Sequence, residues 1–196
     1  MNKLLLATRN LHKQKEIQAL LSGKDIEVIT LRDVAPLPEI IEDGVTFAAN
    51  ALKKAEVTAK LTDYWCLADD SGLEVDYLNG RPGVYSARYA GEPSDDAANN
   101  RKLLTELTGV PDAERTAQFV CVLALVSPAK NWLLEGVCRG RIARKAEGDN
   151  GFGYDPLFMP EGYELTFAQL SPETKNRISH RAKALNQLAE LLAKQN

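Results

Sequence analysis

The chain predicts an α/β protein built on a mixed sheet. Three observations carry that expectation. Short apolar runs of strand length alternate with helical patterns through the first half, in the order β-α-β-α-β. Two long β-type runs follow, separated by a short turn, as in a hairpin. The C-terminal part then returns to helical spacing. With 196 residues, 44% hydrophobic and 26% charged, one domain with a substantial core is expected.

Lys3 to Ala7 is a short apolar run that fits a buried first strand. Asn10 is the N-cap of a first helix, with Leu11, Ile17, Leu20 and Leu21 as its apolar positions and Ser22-Gly23 as its end. Ile26 to Ile29 reads as the second strand. Leu31 to Ile41 contains Pro36 and Pro38 and reads as loop or edge. Thr46 caps an alanine-rich helix through about Lys60, and Trp65 to Ala68 is the next strand. Leu73 to Tyr77 reads as a further strand with Asn79-Gly80 as its turn. Ser94-Asp95-Asp96 opens a helix that runs to about Leu107, with acids in its first turn. Gln118 to Ser127 and Trp132 to Arg144 make the hairpin, and Gly148 to Pro160 is a loop rich in Gly, Pro and aromatics. Ser171-Pro172-Glu173 opens the C-terminal helical region, whose apolar positions are Ile178, Ala182, Leu185, Leu188 and Leu192.

The formal net charge of −3 lacks the footprint of a nucleic-acid-binding domain. Three widely spaced cysteines, Cys66, Cys121 and Cys138, have no zinc spacing and sit in apolar surroundings. Buried free thiols in a reducing compartment are expected. No apolar segment approaches the roughly 20 residues of a membrane span, and the N-terminal apolar run is too short for a signal peptide. The expectation is a soluble cytoplasmic protein.

Five stretches could carry chemistry. In ATRNLHKQKE a strand runs into a helix start, with Thr8, Asn10 and Lys13 near its positive end. Taken alone, this stretch is better read as an ordinary capped helix with solvated Arg9, His12, Lys13 and Lys15, since such caps are common. Glu42 precedes Gly44 and the Thr46-capped helix that carries Lys53 and Lys54; alone these read as solvated charges. In LADDSGLEVD, two adjacent acids, Asp69 and Asp70, end an apolar run. Strand-end carboxylates suit Mg²⁺, with Ser71 and Gly72 close to a ligand, and an Asp-Ser-Gly turn is the competing reading. In GDNGFGYDP, exposed Phe152 and Tyr154 on a glycine-rich backbone would make a stacking platform for a base, or a structural turn with a core aromatic. In SPETKNRISHRAKAL, Lys175, Arg177, His180 and Arg181 give a cationic patch, or the wet face of an amphipathic helix.

Taken in order, TRNLHK, Glu42-Asp43-Gly44-x-Thr46-Phe47, LADDSGLEVD, RPGVYSARYAG, GFGYDP and ISHR resemble the inosine/xanthosine triphosphate pyrophosphatase family, the HAM1-like enzymes. The resemblance runs from Lys3 to about Leu192. It implies an elongated mixed sheet with flanking helices, two lobes around a central cleft, and a homodimer. It also implies Mg²⁺-dependent hydrolysis of non-canonical purine triphosphates, such as ITP, dITP and XTP, to the monophosphate plus pyrophosphate.

The residue roles that follow from the resemblance are specific. Asp70 is the metal and general-base acid, and Glu42 the second metal carboxylate. Thr8, Arg9, Asn10, Leu11, His12 and Lys13 form the nucleotide-contacting stretch, with Arg9 standing where a glycine is common. Lys54 lies near the phosphates and Ser71 is the substrate serine. Phe152, Gly153, Tyr154 and Asp155 form the base loop; Lys175, His180 and Arg181 are the C-terminal contacts. Two other functions compete. A Maf-like pyrophosphatase would carry a different N-terminal serine/arginine signature, and a regulatory nucleotide-binding module would bind without turnover.

Overall fold

The computed structural model describes residues 3–22 and 26–194. Gly23, expected in the end of the first helix, lies outside the described residues. The strands are β1 (Lys3–Leu6), β2 (Glu27–Thr30), β3 (Trp65–Val75), β4 (Thr116–Val126), β5 (Asn131–Ile142) and β6 (Phe158–Pro160). The helices are α1 (Leu11–Leu21), α2 (Phe47–Thr62), α3 (Asp96–Glu106), α4 (Pro172–Ile178) and α5 (His180–Ala193). The strand order is β2-β1-β3-β4-β5-β6. β1 pairs in parallel with β2 and β3, and β5 pairs antiparallel with β6, so the sheet is mixed as expected.

The chain forms two compact units. The first contains the chain up to Asp70, then Cys121–Gly136, and the segment from Arg181 onward. Leu4, Leu6, Ile17, Leu67, Leu123, Leu185 and Leu188 lie in its apolar core. Leu4, Leu5 and Leu6 are all fully buried, because a parallel strand between two neighbours is covered on both faces. The second unit contains Ser71–Val120 and Val137–His180. Its core gathers Leu73, Val75, Leu103, Leu107, Leu157 and three phenylalanines, Phe119, Phe158 and Phe167. The Phe119 and Phe158 rings meet edge-on at 4.8 Å.

The helix starts follow their local chemistry. Asn10, Thr46, Asp95 and Ser171 each accept a hydrogen bond from a backbone N–H two or three residues on, and Pro172 takes the first helical position. Ser127 closes the β4–β5 connection by donating its N–H to the Lys130 carbonyl at 3.0 Å.

Four expectations are corrected. The acids do not end a strand: β3 runs unbroken from Trp65 to Val75, and Asp69 and Asp70 lie in its middle. The separate strand expected over Leu73–Tyr77 is the second half of β3, and Asp76–Leu78 is a 3-10 turn that leads into Asn79-Gly80, both at positive φ. The Gly148–Pro160 loop ends in a short strand, because Phe158–Pro160 finds the free edge of β5. Leu11 does not join the core: it is 45% exposed, while Gln14, Ile17 and Leu21 form the buried stripe of α1. All three cysteines are free and buried, as expected. Among the described residues no helix is long and apolar enough to cross a membrane.

Candidate active site

The first unit gathers most of the expected charged residues. β1 ends at Leu6, and the Ala7 N–H still bonds to the Leu67 carbonyl at 2.8 Å, which places Thr8 just past the strand end. Thr8 Oγ1 accepts the Asn10 N–H at 3.2 Å, and Gln14 Nε2 donates to the Thr8 carbonyl at 2.6 Å. Asn10 Oδ1 accepts the N–H groups of His12 (2.9 Å) and Lys13 (3.1 Å). The cap therefore uses two of the N–H groups that an anion would otherwise find at this helix start. The exposed Arg9 guanidinium donates to the Leu37 carbonyl at 2.9 Å and ties the turn to the following loop.

β3 supplies the two acids. Consecutive side chains on a strand point to opposite faces, so the acids meet different partners. Asp69 is fully enclosed. Its Oδ1 is paired with Lys13, its Oδ2 accepts from Arg181 Nε at 3.1 Å and from the Cys121 thiol at 3.1 Å, and Arg181 also pairs with Glu16. Burial pushes the Asp69 carboxyl upward, but the Arg181 and Lys13 charges outweigh burial and hold it far below the usual carboxylate range. The same burial, with Asp69 beside it, raises the Cys121 thiol.

Asp70 is in the opposite situation. Burial raises its carboxyl, Lys54 and Lys13 oppose that, and Glu42 and Asp69 add to it; the net direction is up. Its Oδ2 is buried without a hydrogen-bond partner. Its Oδ1 lies 3.6 Å from Lys54 Nζ, which is also 3.1 Å from Glu42 Oε2 and donates to the Asp69 carbonyl at 2.7 Å. One ammonium thus joins Glu42, Asp70 and the β3 backbone. α2 brings Lys54 there because Ala51 and Ala55, fully buried, let the helix pack closely. Glu42 is set by the turn after it: Asn50 Oδ1 accepts the Gly44 N–H at 2.7 Å, and a Cβ on Gly44 would lie 2.6 Å from that oxygen.

The second unit holds the aromatic loop and its cation. Of the two readings of this loop, the core aromatic holds for Tyr154, which is 3% accessible: its hydroxyl donates to the Ser86 carbonyl at 2.9 Å and its ring joins the core. Burial pushes its phenol well above the normal range. Phe152 stays half-buried. Asp155 Oδ2 accepts the Phe152 N–H at 2.9 Å and pairs with Lys175 Nζ at 2.7 Å, and that ammonium sits 5.0 Å from the Phe152 ring centre. Asp155 and Lys175 are both buried. Gly151, at φ +81°, is required here, since a Cβ would come within 1.9 Å of Asp155 Oδ2. His180 is buried, its ring stacked on Phe119 at 4.7 Å. Ser71 is the first residue of this unit on β3 and is half-buried.

The expected site residues thus form two groups. Thr8, Arg9, Asn10, Leu11, His12, Lys13, Glu42, Lys54, Asp70 and Arg181 belong to the first unit; Ser71, Phe152, Gly153, Tyr154, Asp155, Lys175 and His180 belong to the second. Sequence reading passed over Glu16 and Cys121, which reach the Asp69–Arg181 pair, and Asp96 and Asn100, which bond Gly153 of the aromatic loop. Glu16 had a local signal, three residues after Lys13 on one helix. Cys121 had none, because its partner is 52 residues away.

As a metal site, this first group offers hard oxygen donors: Glu42, and Asp70 with its unpartnered buried Oδ2. Among the described residues no three His, Cys, Asp or Glu converge on one point. Two carboxylates suit Mg²⁺, which commonly takes one or two and completes its shell with water and substrate phosphate oxygens.

Known proteins are similar to this chain from end to end. The dITP/XTP pyrophosphatase of Shouchella clausii (strain KSM-K16) is 52% identical over 193 residues, covering 98% of this chain and 97% of that protein. The dITP/XTP pyrophosphatase of Desulforamulus reducens is 53% identical over 191 residues, covering 97% and 95%. The solved structure of the Staphylococcus aureus Ham1 protein superposes with a TM-score of 0.90 at 41% identity, covering the whole of both chains. The Ham1 family matches residues 4–191, from β1 nearly to the end of α5, and the chain belongs to that family.

Proposed function

We propose that the protein hydrolyses non-canonical purine nucleoside triphosphates, of the ITP/dITP and XTP/dXTP class, to the nucleoside monophosphate and pyrophosphate. The observation that carries this reading is the convergence of Glu42 and Asp70 on Lys54, with Asp70 Oδ2 buried and unpartnered. The relatives named dITP/XTP pyrophosphatase support the substrate class.

Glu42 and Asp70 are the residues that would hold Mg²⁺. When bound there, the ion neutralises charge on the triphosphate oxygens as a Lewis acid. Asp70 accepts the proton of the attacking water. The water oxygen bonds to the α-phosphorus, the bond from that phosphorus to the bridging oxygen breaks, and pyrophosphate leaves with the bridging oxygen. Lys13 and Lys54 offset charge on the phosphate oxygens, the usual main source of rate in phosphoryl transfer. Asp69, itself paired with Arg181, holds Lys13 beside it. Thr8, Asn10 and Ser71 contact the nucleotide, and the loop Phe152, Gly153, Tyr154 and Asp155, with Lys175 and His180, receives the base. A keto oxygen at position 6 is accepted by donors that adenine's amino group cannot match, since mismatched buried polar groups discriminate strongly. A homodimer belongs to the same reading, and light scattering during size exclusion tests it.

The direct test is product analysis with Mg²⁺ and ITP, dITP, XTP, GTP, ATP, UTP and dTTP. Monophosphate and pyrophosphate, strongly favouring the first three, is the expected result. Orthophosphate as the product would move attack to the γ-phosphorus and overturn the mechanism; a preference for pyrimidines would overturn the substrate class. Asp70→Asn is expected to lower turnover by about three orders of magnitude or more in a protein that stays folded.

A further inference from the structure

The loop Phe152–Asp155 is held from two directions, and the expected site residues supply only one. Asp155 takes the Phe152 N–H and Lys175. The other hold comes from α3. Asp96 Oδ2 accepts the Gly153 N–H at 2.7 Å, and Asn100 Nδ2 donates to the Gly153 carbonyl at 2.9 Å. Residues four apart on a helix face the same way, so these two side chains take both polar groups of a single peptide residue. Gly153 sits at φ +62° with open space around its missing Cβ. Glycine is there for the backbone conformation, and the clamp selects that conformation.

Other positions of α3 do the same for PGVYSARYAG. Asn99 accepts the Ala90 N–H at 2.6 Å and donates to the Ala87 carbonyl at 3.0 Å, and Lys102 Nζ donates to the Tyr89 carbonyl at 2.7 Å. Two consecutive asparagines are poor helix formers. Their presence in α3 is explained by these bonds to loops.

We infer that Asp96 and Asn100 are positioning residues for base recognition: they fix the Gly153 peptide, and with it the Phe152 ring and Asp155 carboxylate. The inference rests on the proposed function, in which this loop receives the purine. Neither side chain acts on phosphate. Freeing one end of the loop adds an ordering cost to base binding and lets the ring sample other positions, which weakens discrimination between similar 6-keto purines.

The test is steady-state kinetics of Asp96→Ala and Asn100→Ala with Mg²⁺, using dITP and dGTP, beside thermal melting. The expected result is a rise of about five- to tenfold in KM for dITP per lost bond, a compressed dITP-over-dGTP ratio of kcat/KM, and kcat within about twofold. Asp96→Asn keeps an acceptor for the Gly153 N–H and should restore most of the KM. Unchanged KM and base preference in both alanine variants would overturn the inference while wild-type turnover leaves the function standing. So would a fall in kcat at unchanged KM. Absence of pyrophosphate from dITP with the wild-type protein would overturn both.

Discussion

Replacing Arg181 by methionine removes a fully enclosed guanidinium that joins Asp69 and Glu16. Breaking a buried ion pair from one side costs about 3–5 kcal/mol, because the remaining charge is stranded. Here the loss belongs near the lower end, about 3 kcal/mol. Asp69 keeps Lys13 and the Cys121 thiol, and the Glu16 side chain, 17% exposed, rehydrates. For a chain of this size that is a fall in Tm of roughly 6–12 °C.

The loss should also depend on pH. Asp69 has a folded-state pKa held below its unfolded value, so the stability it contributes is present above the unfolded value of about 3.9 and fades as pH falls through the folded one. Without Arg181 burial is opposed less, and the folded pKa of Asp69 rises. The gap between wild type and Arg181→Met should therefore be widest near neutrality and narrow as pH falls through the variant's raised folded pKa. Urea unfolding across that range measures it. Adding Asp69→Asn to Arg181→Met removes the stranded charge and should recover part of the loss. A gap below about 1 kcal/mol near neutrality, or one that widens as pH falls, would refute this account of the cluster.

Two further outcomes follow from the same geometry. In metal-free protein Asp70→Asn should be more stable than wild type at neutral pH, because the folded pKa of Asp70 is raised and its charged form opposes folding; the advantage should vanish below about pH 3.9, where both states are protonated. Mg²⁺ at a hundredfold over its Kd should then stabilise wild type by about 2.7 kcal/mol and the variant by clearly less, read as shifts in Tm. Gly151→Ala places a Cβ 1.9 Å from Asp155 Oδ2 at φ +81°, and should destabilise the protein by at least about 1 kcal/mol and raise KM for dITP. A variant with wild-type Tm and KM would show that the loop has room to yield.

The reading of LADDSGLEVD shows where local inference stops. Asp, Ser and Gly in a row are turn chemistry, and a turn would have let both acids reach water. The fold overrides that preference. β3 stays extended through the acids within the sheet, between β1 and β4, and Asp69 is joined to Cys121 and Arg181, 52 and 112 residues away. Tyr154 is a second case. A glycine-rich stretch with two aromatics reads equally as an exposed platform or a turn with a core aromatic, and the Ser86 carbonyl, 68 residues away, decides it by accepting the Tyr154 hydroxyl inside the core, which leaves only Phe152 half-buried.

What was legible from residue order alone were events with short reach. Caps at Asn10, Thr46, Asp95 and Ser171, the helical stripe of α5, and the β4–β5 turn all depend on groups within a few positions, so composition and spacing encode them. The motif set that pointed to the family was legible for the same reason: each motif is a short local pattern. Tertiary structure decided the charge state and the duty of each polar group. Adjacent residues on a strand face opposite ways, so Asp69 and Asp70 look alike in sequence yet end in different surroundings, one neutralised by buried cations and the other left with a bare oxygen. Burial and distant countercharges set those differences, and both exist only once segments far apart in the chain have come together.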